Sequence, residues 1–568
     1  MGFFFYPCRD LNAFREKHHQ SDHTKGENIM DIRIPANAPL IPHKKHWQFC
    51  VGSGHALLAL RTDYTRQLKF IHDTLGIARV RFHGIFCDDM HTFNDLSMQL
   101  PVPGAEAFPE YNFNACGVAY DNVLDAGMKP FVELSFMPKK LAGQYEDRDE
   151  RGMFFYRPVI LPPADFRAWQ DYIRAFVRFL IHRYGREEVR TWYFEVWNEP
   201  DLPIVFWNGT RDEYFALYEA TARAIKEVDP LIPVGGPSSS ASKWVESFLA
   251  YCRAHDVPVD FVTTHQYAGD PIGGVSEQGS PDDDGPAPSF NAAAFPRRGQ
   301  GGRAVLDGIA DKTFLNGFRA LMPDKSETED LPNDVMIRNA AIVRKQAGDL
   351  PLFYTEWNEN AIFSAWTNDT RKAAAYDVKT ALDVADDLDG SSIWCFSDIF
   401  EELHPFPQEF HGGFGMLSQS GIPKPVYHAM KMLADAGDLR LDLGPDATKG
   451  EIGYAAFRKG GTLQILLFRQ KMKNLDLAPE KVAVSVELPE APAGVTLRRV
   501  DETRGNPLRV WQEMGSPVSL NRAEIRRITE VSAVEDEPFV AAYTDGSLKL
   551  EASLGCNDIW FFTVTPRA

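Results

Sequence analysis

Cysteine is sparse and never paired. The seven residues Cys8, Cys50, Cys87, Cys116, Cys252, Cys395 and Cys556 are scattered singly along 568 positions, with no Cys-x-x-Cys among them. An odd, dispersed set argues against a disulfide framework or a cysteine zinc site and points to reduced thiols. Long hydrophobic runs are missing too: none approaches the roughly 18 residues a membrane helix requires. Positive charge is in deficit, with 60 Lys and Arg against 79 Asp and Glu and a formal net charge of -19. A field of that sign repels nucleic acid, anionic lipid and acidic polysaccharide and favours a neutral ligand. No His-Glu-x-x-His or comparable spacing links His83, His265, His404 and His411, so neither a metal nor a cofactor is expected. The apolar start Met1-Gly-Phe-Phe-Phe-Tyr-Pro-Cys8 lacks a basic segment and a nearby small-residue cleavage site, and Tyr6 stands where myristoylation wants Ser or Thr. The expectation is a cytoplasmic protein. Nothing in the sequence indicates an oligomeric state.

From about residue 46, short β-rich runs alternate with stretches of helical period. The expected strands are 47–51, 78–83, 130–136, 191–198, 232–236, 259–265, 352–358 and 392–397. The expected helices are 63–75, 165–184, 211–228, 242–255, 333–346 and 369–387. In 165–184 the apolar residues Phe166, Trp169, Ile173, Phe176, Val177 and Leu180 fall on one face. Eight strands alternating with helices predict an α/β fold, a closed (β/α)8 TIM barrel over 46–435. The alternative is an open doubly wound sheet, which usually carries a Gly-rich phosphate turn after its first strand; none is present here. After about residue 436 the pattern becomes one of short alternating strands, at 454–458, 463–468, 482–488, 539–544 and 559–565. This predicts a smaller C-terminal antiparallel β-sandwich over 436–568, joined by a strand segment at 29–45. Residues 1–28 are polar and expected to be poorly ordered, and 510–528 reads as a partly helical excursion reaching back to the barrel. The Gly/Pro/Asp-rich stretch 268–303 follows the sixth strand and reads equally as a rim lid or as a disordered loop.

The chemistry concentrates at two strand ends. The fourth closes on Tyr193-Phe-Glu-Val-Trp-Asn-Glu-Pro200 and the seventh on Phe353-Tyr-Thr-Glu-Trp-Asn358. Strand alternation gives Glu195, Trp197 and Glu199 a common parity and carries Glu199 to the C-terminal mouth, where barrel enzymes keep their sites. Glu356 lies at the same rim. Two carboxyl groups facing each other there suit acetal hydrolysis: one protonates the leaving oxygen, and the other attacks or activates water.

The Trp197-Asn-Glu-Pro200 run resembles the signature of a large clan of retaining (β/α)8 glycosidases. Arg81-Phe-His-Gly84, His265-Gln-Tyr267, Thr355-Glu-Trp-Asn358 and Trp394-Cys-Phe-Ser-Asp-Ile-Phe-Glu-Glu402 narrow the resemblance to glycoside hydrolase family 39, which holds β-xylosidases and α-L-iduronidases. It extends over nearly the whole chain from about residue 30. The resemblance implies Glu199 as acid/base and Glu356 as nucleophile of a retaining mechanism, with carboxyl groups about 5–5.5 Å apart. Asn198 suits a sugar 2-OH, and Tyr267 can donate to Glu356. Arg81 either keeps Glu356 ionised or neutralises Glu133 and Glu195 inside the barrel. His83, His265, Phe136, Trp394, Glu401 and Glu402 are the expected specificity residues. Neighbouring carboxylates accept from sugar hydroxyls and repel a uronic acid, which favours a neutral pentose. The expected function is therefore a β-D-xylosidase acting on a small neutral oligosaccharide, releasing xylose from non-reducing ends, with side activity on α-L-arabinosides. The rivals are an α-L-iduronidase, an endo-acting polysaccharide hydrolase and a non-catalytic carbohydrate-binding protein.

Overall fold

The computed structural model describes residues 29–35, 37–94, 110–203, 205–270, 332–362, 365–402, 406–473 and 477–567. His404, the N-terminal extension 1–28 and nearly all of the 268–303 stretch lie outside them. Eight parallel strands close a barrel: β3 (Cys50–His55), β4 (Arg79–His83), β5 (Lys129–Glu133), β6 (Tyr193–Glu195), β7 (Val234–Ser239), β8 (Phe261–Tyr267), β9 (Leu352–Asn358) and β10 (Gly390–Ile393), with β10 pairing back onto β3. The strands before them, β1 (Met30–Ile34) and β2 (Leu40–Pro42), belong to the second domain.

The outer helices are α1 (Thr62–Leu75), α2 (Asn114–Asp125), α3 (Phe166–Tyr184), α4 (Arg186–Val189), α5 (Arg211–Val228), α6 (Val245–Ala254), α7 (Val335–Ala347), α8 (Arg371–Asp383) and α9 (Pro425–Asp435). Helix α3 buries Trp169, Tyr172, Ile173, Phe176, Val177 and Leu180, the face its 3.6-residue period marks out. Asp165 caps it by accepting from the Arg167 amide, and Gly185 ends it at φ 85. Thr210 and Glu213 close a capping box on α5. The sequence reading missed α2 and α9, whose apolar stripes are short and flanked by loops rich in Phe, Tyr and Gly.

Inside the barrel the side chains form layers. Phe49, Phe131, Tyr193, Phe261 and Phe353 plug the N-terminal end with ring contacts of 4.4–6.3 Å, and the Arg79 guanidinium lies over Phe49 and Tyr193. Arg81, Glu133, Glu195 and Thr355 come next, all buried. Burying three charged groups is tolerable only because each is paired.

Two expected strands are shorter than their sequence patterns. The 130–136 run ends as a strand at Glu133, and 191–198 is a strand only over Tyr193–Glu195. Trp197 and Glu199 then take left-handed backbone, at φ 72 and φ 40. Alternation therefore breaks after Glu195. Trp197 leaves the interior and packs against Phe136 and Trp207, and the parity argument for Glu199 is superseded by this turn.

The C-terminal domain is two facing sheets. One has the order β1-β14-β18-β17, with β14 (Glu480–Glu487), β18 (Ser547–Leu554) and β17 (Ala542–Thr544). The other is β16-β15-β19-β13-β12-β11-β2, with β16 (Glu537–Pro538), β15 (Gly494–Val500), β19 (Ile559–Thr565), β13 (Thr462–Arg469), β12 (Ile452–Lys459) and β11 (Leu439–Leu441). Val482, Val484 and Val486 face a shared core with Leu463, Ile465, Leu467 and Phe562. The pairings are antiparallel except that β1 runs parallel to β14. The N-terminal segment thus supplies two strands, one to each sheet, rather than the single strand expected. Strands β15 and β18 were missed, and the 539–544 run survives only as Ala542–Thr544.

The opposite face of the larger sheet continues the barrel core through Phe457, Leu466, Phe468 and Phe561. Two further helices, α10 (Pro507–Glu513) and α11 (Arg522–Val531), pack Trp511 and Ile528 onto Phe410 and Ile422 in the segment after β10. Among the described residues no helix is long and apolar enough to cross a membrane.

On α8, Asp377 is fully buried and neither of its oxygens has a hydrogen-bond partner among the described residues. Burial, reinforced by the Glu359 charge, pushes its carboxyl well above the usual range, so the fold holds it neutral. The unfolded chain releases this proton above about pH 4, so the folded state is penalised as pH rises. Asp377→Asn, which has no proton to release on unfolding, is expected to stabilise the protein at pH 7 by roughly 1.4 kcal/mol for each unit by which the carboxyl is raised. The gain should vanish near pH 4 when thermal melts are compared across pH.

Candidate active site

The site is assembled around Arg81, whose side chain is fully buried. Its Nε donates to Glu195 Oε2 at 2.6 Å, Nη1 to Glu356 Oε1 at 2.8 Å, and Nη2 to Asn198 Oδ1 at 2.6 Å and Ser238 Oγ at 3.2 Å. Nη2 also lies 3.0 Å from Glu133 Oε2. Both roles left open by the sequence are therefore filled by one guanidinium: it pairs with the interior acids and with Glu356 together. Only a planar fork with five donors can do this at once.

Glu356 stands on β9 in register with His265 on β8. Tyr267 donates to its Oε2 at 2.9 Å, fixing the carboxylate between phenol and guanidinium. Burial pushes the Glu356 carboxyl upward. The positive charges of protonated His265, Arg81 and His83 and the Tyr267 hydrogen bond outweigh it, and the group sits below the ordinary range. His265 is itself held low by burial, so Arg81 and His83 supply the charge at neutral pH.

Glu199 reaches the mouth through its left-handed backbone, anchored by its amide to Ser238 O at 2.8 Å. Burial first, then the Glu356, Asp201 and Asp270 charges, raise its carboxyl well above the usual range. Its Oε1 lies 2.9 Å from His265 Nδ1. The other ring nitrogen of His265 faces Arg81 Nη2 at 3.5 Å, a group that only donates. That favours Nε2 as acceptor, leaving Nδ1–H to donate to Glu199 and the second Glu199 oxygen to carry the acid proton. One oxygen of Glu199 and one of Glu356 lie within 4.8 Å of each other. So close an approach favours the short separation of retaining hydrolysis, about 5–5.5 Å between carboxyl groups, over the roughly 6.5–9.5 Å that leaves room for an inverting water. Glu199, His265 and Glu356 could in principle ligate a metal. Arg81 on Glu356 and protonated His83 3.5 Å from it oppose a cation there.

The remaining expected residues divide. His83 Nδ1 lies 2.6 Å from Glu133 Oε2. Burial opposes its protonation, but Glu133 and then Glu402 overcome this and raise the imidazole to about 10. Its Nε2 forms an ion pair with Glu402 Oε1 at 3.2 Å, but neither atom has a hydrogen-bond partner among the described residues. Asn198 Nδ2 is likewise buried without one among the described residues. Buried polar atoms left unpaired cost about 1–3 kcal/mol each. A hydroxylated ligand is what would satisfy this set of donors and acceptor.

Trp394 packs over His83 at 4.8 Å and forms the apolar side. Phe136 is wholly buried behind the site, stacked on Phe206 and edge-on to Trp197, so it supports a wall and offers no surface. Glu401 turns outward to pair with Arg61 at 3.0 Å, and only Glu402 of this acidic pair enters the pocket.

Sequence reasoning missed Ser238, Phe206 and Lys424. Ser238 takes left-handed backbone at φ 56 and carries no motif, and Phe206 sits 5.7 Å from His83 on a loop without period. Fully buried Lys424 bonds Asp398 at 3.0 Å, Asp369 at 2.7 Å and Gly413 O at 2.8 Å, pinning the segment that follows Trp394. A lone lysine before a proline gives no signal of that role.

Comparison with known proteins assigns the chain to a family. The model for glycosyl hydrolases family 39 matches residues 30–278 and 320–549. A beta-xylosidase of Caldicellulosiruptor saccharolyticus is 35% identical over 512 residues, 90% of this chain and 93% of that protein. One from Geobacillus stearothermophilus is 32% identical over 535 residues, 93% of this chain and 94% of that protein. The solved family 39 beta-xylosidase of Caulobacter crescentus superposes with a TM-score of 0.69 at 27% identity, covering 95% of this chain and all of its own. With a family match over most of its length and an unequal carboxyl pair at the barrel mouth, the chain belongs to glycosyl hydrolase family 39 and is a glycoside hydrolase.

Proposed function

We propose that this protein is a retaining β-D-xylosidase that removes xylose from the non-reducing ends of xylo-oligosaccharides. The observation that carries the reading is the pair Glu199 and Glu356. The two are close enough for double displacement and are held in opposite protonation states by different surroundings. Two relatives similar over nine-tenths of the chain are named beta-xylosidases, which supports the sugar assignment.

In the first step a Glu356 oxygen bonds to the anomeric carbon as the glycosidic C–O bond breaks, and Glu199 passes its proton to the leaving oxygen. In the second, Glu199 takes a proton from water while the water oxygen displaces Glu356, restoring both groups. Asn198 Nδ2 is the donor for the 2-OH, and its other end is fixed by Arg81. His83 Nε2 and Glu402 Oε1 hold adjacent hydroxyls of the same ring. A uronate would bring its carboxylate toward Glu402 and find the guanidinium already committed to Glu195, Glu356 and Asn198, which disfavours the iduronidase alternative.

Hydrolysis of a panel of nitrophenyl glycosides tests the assignment. β-D-Xyloside is expected to be the best substrate, with α-L-arabinoside second. Glu356→Ala should be inactive, and azide should partly restore Glu199→Ala on the activated xyloside. Full activity in Glu356→Ala refutes the nucleophile, whereas turnover of an iduronide with xyloside untouched refutes only the sugar.

The pH–rate profile follows from the same pair. Activity requires Glu356 ionised and Glu199 protonated, so the acid limb lies below the ordinary carboxylate range and the alkaline limb well above it. Arg81→Lys removes the fork and should move the acid limb upward by roughly one unit, as the nucleophile loses its partner. It should also lower kcat/KM by roughly 10²-fold. An unmoved acid limb would show that another group keeps Glu356 ionised.

A further inference from the structure

At the end of β3, outside the hydrolytic pair, the fold gathers three donors that sequence spacing separates. Donor atoms of His55, Cys87 and Asp89 lie within 4.8 Å of one another. His55 and Cys87 are buried, and the Asp89 side chain is 35% exposed, which gives the cluster a path to solvent. His55 Nε2 is 2.7 Å from Asp89 Oδ2, and the ring is stacked on Tyr156 with centroids 3.9 Å apart at 4°. His55 Nδ1 and Asp89 Oδ1 have no hydrogen-bond partner among the described residues. Gly84 explains the convergence: a Cβ there would meet Cys87 Sγ at 2.8 Å and His55 Nδ1 at 2.9 Å. Only glycine lets thiol and imidazole share that space, and its φ of +76 is one that glycine adopts freely.

We infer that His55, Cys87 and Asp89 form a binding site for a thiophilic divalent cation, with zinc as its representative. One sulfur, one imidazole nitrogen and one carboxylate oxygen make a zinc-type donor set, and water would complete the tetrahedron. Metal–donor distances of about 2.0–2.3 Å place donors roughly 3.5 Å apart, so the 2.7 Å His55–Asp89 hydrogen bond opens as the cation takes its place between them. On binding, the Cys87 S–H bond breaks, its proton passes to solvent, and the thiolate donates an electron pair to the metal; nothing is oxidised or reduced. Among the described residues no lysine or arginine forms an ion pair with the three, in contrast to the Glu199–His265–Glu356 trio. Gly84 directly follows His83, so drawing Cys87 and His55 together displaces the end of β4 and couples cation binding to the sugar pocket.

The test is titration of metal-free, full-length protein with Co2+. One equivalent should produce a thiolate-to-cobalt charge-transfer band with tetrahedral visible bands, and zinc should displace it. C87S is expected to lose the charge-transfer band, and D89N, at a part-exposed position, to bind at least tenfold more weakly. Both metal-free variants should hydrolyse at the wild-type rate. A wild type without the band, a band that survives in C87S, or equal affinity in wild type and D89N overturns the site. Zinc should slow hydrolysis by the wild type and leave C87S unaffected. An equal response places the inhibiting metal elsewhere and overturns the coupling to His83.

Discussion

The structure turns on one buried guanidinium. Arg81 sits in the barrel interior among three carboxylates, Glu133, Glu195 and Glu356, all within 3.0 Å of its nitrogens. Without these acids the guanidinium would carry the full cost of leaving water, and it in turn offsets part of theirs. The arrangement also divides labour. Two carboxylates are spent on neutralising the charge, and the third, at the mouth, is kept ionised and still accessible from above. Asn198, locked on the same nitrogen as Ser238, inherits its orientation from the network. A barrel filled only with Val, Ile and Leu would be more stable but could not hold an anion poised for attack.

Around that centre the shell is built in tiers. Left-handed backbone at Trp197, Glu199 and Ser238 takes the chain out of strand geometry just above the charged layer, so that Glu199 faces Glu356 rather than following the pleat. On the other side, the segment after β10 brings Trp394 and Glu402 over the pocket. It is held from beneath by Lys424 and from outside by Trp511 of the second domain. The β-sandwich contributes no residue to the carboxyl pair, yet through α10 and α11 it braces the wall against which the sugar would rest.

The parts of this that the sequence displayed are those with a period or a local motif. Helix α3 showed its buried face openly, and the Trp-Asn-Glu and Thr-Glu-Trp-Asn strings marked both glutamates. What stayed hidden depends on backbone that leaves the regular regions or on contacts distant in sequence. The alternation rule extended β6 to Asn198, when the left-handed turn at Trp197 had already ended it. Glu401 and Glu402 look alike in sequence and diverge because Arg61, some 340 positions away, captures one of them. Phe136 reads as a wall residue, and Phe206 stands in front of it. The edge pairing of β1 parallel to β14 was equally invisible, since a short apolar strand does not declare the direction of its neighbour.

That pairing has a bearing on how the molecule is made. Strands β1 and β2 leave the ribosome before the barrel, but their partners β14 and β11 lie roughly 450 and 400 residues downstream. The barrel between them can close as soon as β10 emerges, whereas the sandwich must wait for the last strand, β19, to complete its larger sheet. During that interval two apolar strand edges stay exposed at the start of the chain. These two strands are thus synthesised before the barrel and are among the last elements to find their partners. A chain that stops before α10 and α11 lacks the packing of Trp511 and Ile528 against Phe410 and Ile422, so the wall that carries Glu402 is braced only once the second domain has been made.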